Sequence, residues 1–270
     1  MARQSHKGFG WPGRKSVERL APGAIIGRLG GDEFGIVFRG HDNKAALRRL
    51  GDRILSELGA PVQIAGRSTR LSATIGVAVA PRDTTYADEL ISMADLALYE
   101  GKKSGRKLTV AFDEEMLADE RHKRFVEREL RAAILLNELE LYYQPIFDAD
   151  GETLKSHESL VRWKHKVRGI IMPAEFIAIA EQSDLINKLG DWVLRRACLD
   201  LPTLGTAVSV NVSAVQLRRG DIAERFGAIL RETGAEASQI IVEVTETVPL
   251  KAGAVELEDL EALRALGLVV

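Results

Sequence analysis

Two places in this sequence gather oxygen-bearing side chains where chemistry could use them. The first is Gly30-Gly31-Asp32-Glu33, set between the apolar runs Ala24-Ile25-Ile26 and Ile36-Val37-Phe38. Two β-type runs around such a tetrapeptide predict a hairpin with the glycines and carboxylates at its tip. Glycine admits positive φ and lets a ligand come close to the backbone. Asp32 and Glu33 can hold a hard cation such as Mg²⁺, which in turn holds phosphates. For these four residues alone, a solvated turn is the alternative. The second place lies in the other half of the chain. Glu158, Asn211 and Glu243 each interrupt a run that otherwise suits a buried strand: Ser156–Val161, Ala207–Val212 and Ile240–Val244. A buried carboxylate or amide is costly unless it is paired or bound to metal. Three oxygen ligands, two of them anionic, suit Mg²⁺ or Mn²⁺. Taken singly, each could be satisfied by hydrogen bonds within the structure, but together they favour a site.

These residues need elements to position them. Residues 1–23 carry little pattern beyond a hint of a helix end at Val17 to Leu20, and loose order is expected there. Asp42 suits the N-cap of a helix over about 44–58, with Leu47, Leu50, Ile54 and Leu58 on one face and Gly59 and Pro61 as its stop. Leu71 to Val79 alternates as a half-buried strand does. Asp88 to Lys103 has helical spacing and ends at Gly105. Asp113 to Glu140 is densely charged with both signs, which predicts a solvated connecting helix laced with i,i+4 pairs. Beyond it come strands over Leu141–Phe147 and Thr153–Trp163. A helix opened by Pro173 follows, then one over Leu185–Leu199, then a short strand over Ala207–Val212. The chain continues as a helix over Asp221–Thr233, a strand over Ile240–Thr247, a helix over Val255–Leu266 and a new strand from Leu268. Strands alternating with helices argue for a parallel α/β arrangement, and polar groups at strand ends in a (β/α) barrel argue for its active site.

Composition narrows the classes. The chain has 270 residues, enough for one or two domains, with 46% hydrophobic and 28% charged residues. A net charge of −2 gives no reason to expect nucleic acid or an anionic membrane as partner. Cys198 is the single cysteine, which excludes an internal disulfide, fits a reducing compartment and, in its apolar run, suits a core position. No apolar run approaches the roughly 18 residues of a membrane span, and the basic N-terminus lacks the core of a signal peptide. A cytoplasmic protein is expected.

The full string Arg28-Leu29-Gly30-Gly31-Asp32-Glu33-Phe34 resembles the signature of the GGDEF family, diguanylate cyclases that make cyclic di-GMP from two GTP. Leu71-Ser72-Ala73-Thr74-Ile75-Gly76-Val77-Ala78, Ala94-Asp95-Leu96-Ala97-Leu98-Tyr99 and Lys102…Gly105-Arg106 extend the resemblance. It implies that Asp32 and Glu33 are catalytic, with Asp32 also a metal ligand. It also implies that Gly30 and Gly31 approach the substrate and that Lys102 and Arg106 contact the GTP phosphates. Basic side chains at a helix C-terminus can neutralise a triphosphate, although a solvated helix end is the alternative reading.

The second half resembles the EAL family, phosphodiesterases that cut cyclic di-GMP to its linear dinucleotide. The resemblance rests on Tyr143-Gln144-Pro145-Ile146, Glu158-Ser159-Leu160-Val161-Arg162-Trp163, Leu189-Gly190-Asp191-Trp192, Asn211-Val212-Ser213…Gln216-Leu217 and Glu243-Val244-Thr245-Glu246. It implies that Glu158, Asn211 and Glu243 are metal ligands, that Arg162 contacts a substrate phosphate and that Gln144 lines the pocket. Together the two resemblances imply an α/β protein. Residues 1–112 are the C-terminal part of a cyclase-like α+β GGDEF domain, residues 113–127 are a charged linker helix, and residues 128–270 are the N-terminal part of an EAL (β/α) barrel. They imply Mg²⁺ or Mn²⁺ as cofactor, cyclic di-GMP or GTP as ligand, and a homodimer, since such cyclases work in pairs.

The sequence departs from both patterns. Ala21 and Ala24 stand where the cyclases carry the Arg-x-x-Asp of their product site, Ser159 replaces the signature alanine, and Asp184 replaces a glycine. The segments in which the families carry their first metal aspartate, guanine-binding residues and Asp-Asp pair are not matched. The expectation is a cyclic di-GMP signalling chain with incomplete sites, inactive or a fragment. The alternative is a non-enzymatic nucleotide receptor or scaffold.

Overall fold

The structure, a computed structural model, describes residues 14–40, 43–64, 67–244 and 254–270. The chain falls into two compact units, residues 1–121 and 122–270.

The first unit runs α1 (Arg14–Leu20), β1 (Ile25–Gly30), β2 (Glu33–Val37), α2 (Lys44–Leu58), β3 (Pro61–Ile64), β4 (Arg67–Arg70), β5 (Ile75–Val77), α3 (Ala87–Lys103) and β6 (Thr109–Ala111). β1 and β2 form the expected antiparallel hairpin, as do β3 and β4, while β5 and β6 pair in parallel. A small core joins Val17, Ile54 and Leu58, flanked by Ile26, Ile36, Leu50 and Ile75. The expected loose order of residues 1–23 gives way at α1, because Val17 has this core to bury itself in; residues 1–13 lie outside the described residues. Asp42, the expected N-cap, also lies outside them. Asn43 caps α2, its Oδ1 accepting from the amides of Ala45 at 2.9 Å and Ala46 at 3.3 Å. The strand expected over Leu71–Val79 shortens to Ile75–Val77, since its partner β6 offers only three residues. The alternation there reports half-burial correctly, with Val79 buried.

α4 (Glu114–Leu136) holds the division between the units. Its second half is a core helix rather than a solvated connector: Val126, Leu130 and Ala133 are buried among the second unit's apolar residues. The second unit continues with β7 (Leu139–Phe147), β8 (Leu154–His165), β9 (Gly169–Ile171), α5 (Pro173–Ala180), α6 (Leu185–Leu204), β10 (Ala207–Val212), α7 (Ala214–Leu217), α8 (Ile222–Thr233), β11 (Ile240–Val244) and α9 (Ala254–Ala265). One sheet has the order β11-β10-β8-β7, with β9 on the far part of β8. β7 is antiparallel to β8, and β8, β10 and β11 are parallel. Val269 bridges Ile241 in parallel, the start of the strand expected from Leu268. α6 runs past its expected end at Leu199, through Pro202, and stops at Gly205 with φ +68°.

Alternation divides the sheet's two faces. Trp163, Val208, Val210, Ile240 and Val242 bury themselves with Phe176, Leu189 and Leu194. Trp163 is fully buried, with Phe176 edge-on at 5.8 Å. The opposite face carries the polar residues that the sequence singled out.

Candidate functional site

Register places four of the predicted residues in a row. Gln144 on β7 pairs with Glu158 on β8, Glu158 pairs with Ser209 on β10, and Asn211, two residues along β10, pairs with Glu243 on β11. Directly paired residues project to one face of a sheet, and a step of two residues keeps that face. Gln144, Glu158, Asn211 and Glu243 therefore share the face opposite the core. Asn211 Nδ2 donates to Glu158 Oε1 at 2.9 Å, and among the described residues no other hydrogen bond reaches that carboxylate. Arg162, two pairs along β8 on the same face, donates to the Val161 carbonyl at 2.9 Å and lies 5.6 Å from the Tyr142 ring centre.

The buried face of the same strands braces this row. The Ser159 hydroxyl, in the position the sequence marks as a replaced alanine, donates to the Ser209 carbonyl at 2.7 Å. Tyr143 donates to Asp200 at 2.8 Å, and burial together with Asp200 pushes its phenol far above the ordinary range, so it remains a neutral donor. Beyond Asn211 the chain enters α7, where Gln216 Oε1 accepts the Ser213 amide at 3.1 Å. Gly190 on α6 makes room for Gln216: a Cβ at Gly190 would lie 2.1 Å from Gln216 Nε2. The motif residues Gly190, Ser213 and Gln216 thus set the end of β10 that carries Asn211.

Two carboxylates and an amide oxygen are the donor set of a hard divalent cation. Glu158 and Asn211 already touch, and turning the Asn211 amide would present its oxygen beside the carboxylate, so these residues fit such an ion. Among the described residues no group of three His, Cys, Asp or Glu side chains is arranged to hold a metal, so the amide is needed to complete the set.

In the first unit, Gly31 occupies the hairpin turn with φ +52°. Arg28 holds that turn, its Nε and Nη2 donating to the Gly31 carbonyl at 2.9 and 2.6 Å. Asp32 and Glu33 are exposed at the tip. Lys102, at the end of α3, meets Glu33 at 3.5 Å, so the signature and the basic turn are neighbours. Arg106 and Lys107 follow with φ of 64° and 56°, a left-handed backbone held by Arg106 N to the Gly101 carbonyl at 3.1 Å and Lys107 N to Thr74 Oγ1 at 3.2 Å. Among the described residues Arg106 makes no ion pair with Asp32 or Glu33. Sequence reasoning assigned no role to Arg28, although it opens the signature string, or to Ser209, and an arginine three residues before a turn was the one available signal.

Comparison with known proteins agrees with this division. The EAL domain family matches residues 127–270, and the family "Diguanylate cyclase, GGDEF domain" matches residues 15–108. An uncharacterized signaling protein of Caulobacter vibrioides is 40% identical over 248 residues, covering 90% of this chain and 30% of its own length. Cyclic di-GMP phosphodiesterase NbdA of Pseudomonas aeruginosa is 35% identical over 260 residues, covering 90% and 32%. MucR of the same organism, a bifunctional diguanylate cyclase/cyclic di-GMP phosphodiesterase, is 33% identical over 248 residues, covering 90% and 36%. A solved structure described as "PaMucR Phosphodiesterase, c-di-GMP complex" superposes with a TM-score of 0.50 at 33% identity, over 53% of this chain and 60% of that one. The chain spans about a third of the length of the curated relatives it matches. No helix among the described residues is long and apolar enough to cross a membrane. Domains of these two kinds use divalent metal ions. With its four-residue row on the EAL half and its glycine hairpin on the other, the chain belongs to the EAL domain family, carries a GGDEF segment ahead of that domain, and is related to cyclic di-GMP phosphodiesterases and cyclases.

Proposed function

We propose that the EAL half binds cyclic di-GMP and directs a divalent cation, Mg²⁺ or Mn²⁺, at its phosphodiester. The observation that carries this reading is the row Gln144, Glu158, Asn211 and Glu243 on one face of adjacent strands, with Glu158 and Asn211 in contact. Glu158, Asn211 and Glu243 are the residues that would hold the cation. A cation so held supplies Lewis acidity to the phosphoryl oxygen and lowers the pKa of bound water. Arg162, a forked donor on the same face, suits a phosphate oxygen. Gln144 offers both a donor and an acceptor to a base or ribose. In the GGDEF segment, Gly30 and Gly31 leave the backbone open, and Asp32 and Glu33 supply carboxylates for a metal. Lys102 and Arg106 bring positive charge to the same end of the fold, a set suited to GTP. Cytoplasmic location and self-pairing through the GGDEF segment belong to the same proposal.

Product analysis after incubation with cyclic di-GMP and Mg²⁺ or Mn²⁺ tests it, with Glu158→Ala as control and calorimetric titration of the nucleotide in parallel. In line with the incomplete ligand set expected from the sequence, cation-dependent binding of cyclic di-GMP that is weakened in the control, without product from a cooperatively melting chain, is the expected result. Linear dinucleotide from the parent chain and none from the control would show instead that the row suffices for turnover. Absence of both from a melting chain would overturn the proposal.

A further inference from the structure

Ser209 sits in the middle of the row and is 1% exposed, yet its hydroxyl has no hydrogen-bond partner among the described residues. It pairs directly with Glu158 on one side and with Ile241 on the other, on the face that carries Asn211 and Glu243. Leaving a buried hydroxyl unpaired costs about 1–3 kcal/mol, so a retained orphan calls for an explanation.

The geometry around it supplies one. Backbone pairing of β8 with β10 ends at Glu158 and Ser209, and among the described residues β10 continues toward Asn211 with only β11 at its side. At this fork the Ser159 hydroxyl takes the Ser209 carbonyl at 2.7 Å, fixing the Ser209 backbone against the residue next to Glu158. Across the fork, the Asn211 amide donates to Glu158 Oε1. To offer its oxygen to a cation, Asn211 must turn that NH₂ away, and Glu158 then loses its one donor among the described residues. In-register partners on adjacent strands stand about 5 Å apart, within reach of a glutamate that shifts its side-chain torsions.

Resting on the metal reading of this face, we propose that Ser209 is a positioning residue whose hydroxyl donates to the Glu158 carboxylate when Asn211 releases it to hold the cation. The orphan is a donor kept for the loaded state. Groups that orient metal ligands in this way typically change metal affinity 10- to 100-fold when removed.

The test is Mn²⁺ binding to the full chain, followed by water-proton relaxation and calorimetry, for the parent, Ser209→Ala, Ser209→Thr and Glu158→Gln, each with a metal-free thermal melt. The expected result has three parts. Ser209→Ala melts at or above the parent temperature without metal, because it removes an unpaired polar group. It binds Mn²⁺ about 10-fold more weakly. Ser209→Thr, which keeps the hydroxyl, recovers most of that affinity. Equal Mn²⁺ affinity in parent and Ser209→Ala would overturn the inference while leaving the metal reading intact. So would a metal-free melting loss in Ser209→Ala that accounts for its weaker binding. Parent binding unaffected by Glu158→Gln, or no parent binding at all, would overturn the metal reading and this inference with it.

Discussion

On the proposed reading, single side chains on the sheet's polar face have separable tasks, and Arg162 has the most exacting of them. Its guanidinium is already steered by the Val161 carbonyl and the Tyr142 ring. Arg162→Ala should weaken cyclic di-GMP binding about 10- to 100-fold, the range of a charge-assisted hydrogen bond. Arg162→Lys should recover only part, because an ammonium cannot reproduce the fork; titration calorimetry reads both. Asp259 on α9 poses a different problem. It is 6% exposed and one of its oxygens has no partner. Burial, and then Asp221, raise its pKa, against the opposing pull of the Ile222 and Gly220 amides. A carboxyl raised in the folded state adds stability below its unfolded pKa and loses it as pH climbs through the folded value. Asp259→Asn should therefore raise the melting temperature at neutral pH, with the gain shrinking as pH falls toward the ordinary aspartate range. A gain that grows on acidification would contradict this assignment.

Elements show where a sequence is legible and where it is not. β8, β10 and α8 match their expected spans within a few residues, because their periodicity and their burial have the same cause, whereas α6 runs five residues longer, the one-turn α7 was not expected, and the expected end of β11 at Thr247 lies outside the described residues. The row Gln144, Glu158, Asn211 and Glu243 was named from the sequence, but its members' direct pairing across strands is set by register, which spacing along the chain does not encode. β3, β4, β6 and β9 were not expected. They are three or four residues long, and Arg67-Ser68-Thr69-Arg70 has no apolar alternation to announce it. Ser209 was invisible too, since a serine in a strand gives no sign that its hydroxyl will go unpaired. β5 and α3 touch so closely that the glycine between them is obligatory: a Cβ at Gly76 would stand 2.0 Å from the Ala94 carbonyl oxygen and 2.4 Å from the Leu98 amide. Backbone cannot yield as a side-chain tip can. Gly76→Ala should cost about 3 kcal/mol in the first unit, by the measure of an overpacked core, and denaturant unfolding of that unit would show it.

At the scale of the whole chain, the two apolar cores share no residue among those described. Each unit should therefore melt on its own terms, and a single "stability" would be ill-defined. Calorimetry of the full chain should resolve two transitions, with Gly76→Ala moving one and leaving the other in place. A single transition displaced as a whole would mean that the units fold as one cooperative body. Gly190 carries this logic into genetics. It touches no proposed ligand, yet any side chain there strikes Gln216, whose amide oxygen fixes the turn immediately after Asn211. In a screen for lost signalling, changes at Gly190 should segregate with ligand-pocket alleles rather than with ordinary helix-surface alleles. A map drawn from phenotype alone would enter a helix glycine as a contact residue, and compensation should be sought at Gln216 as a shorter side chain, not at the nucleotide.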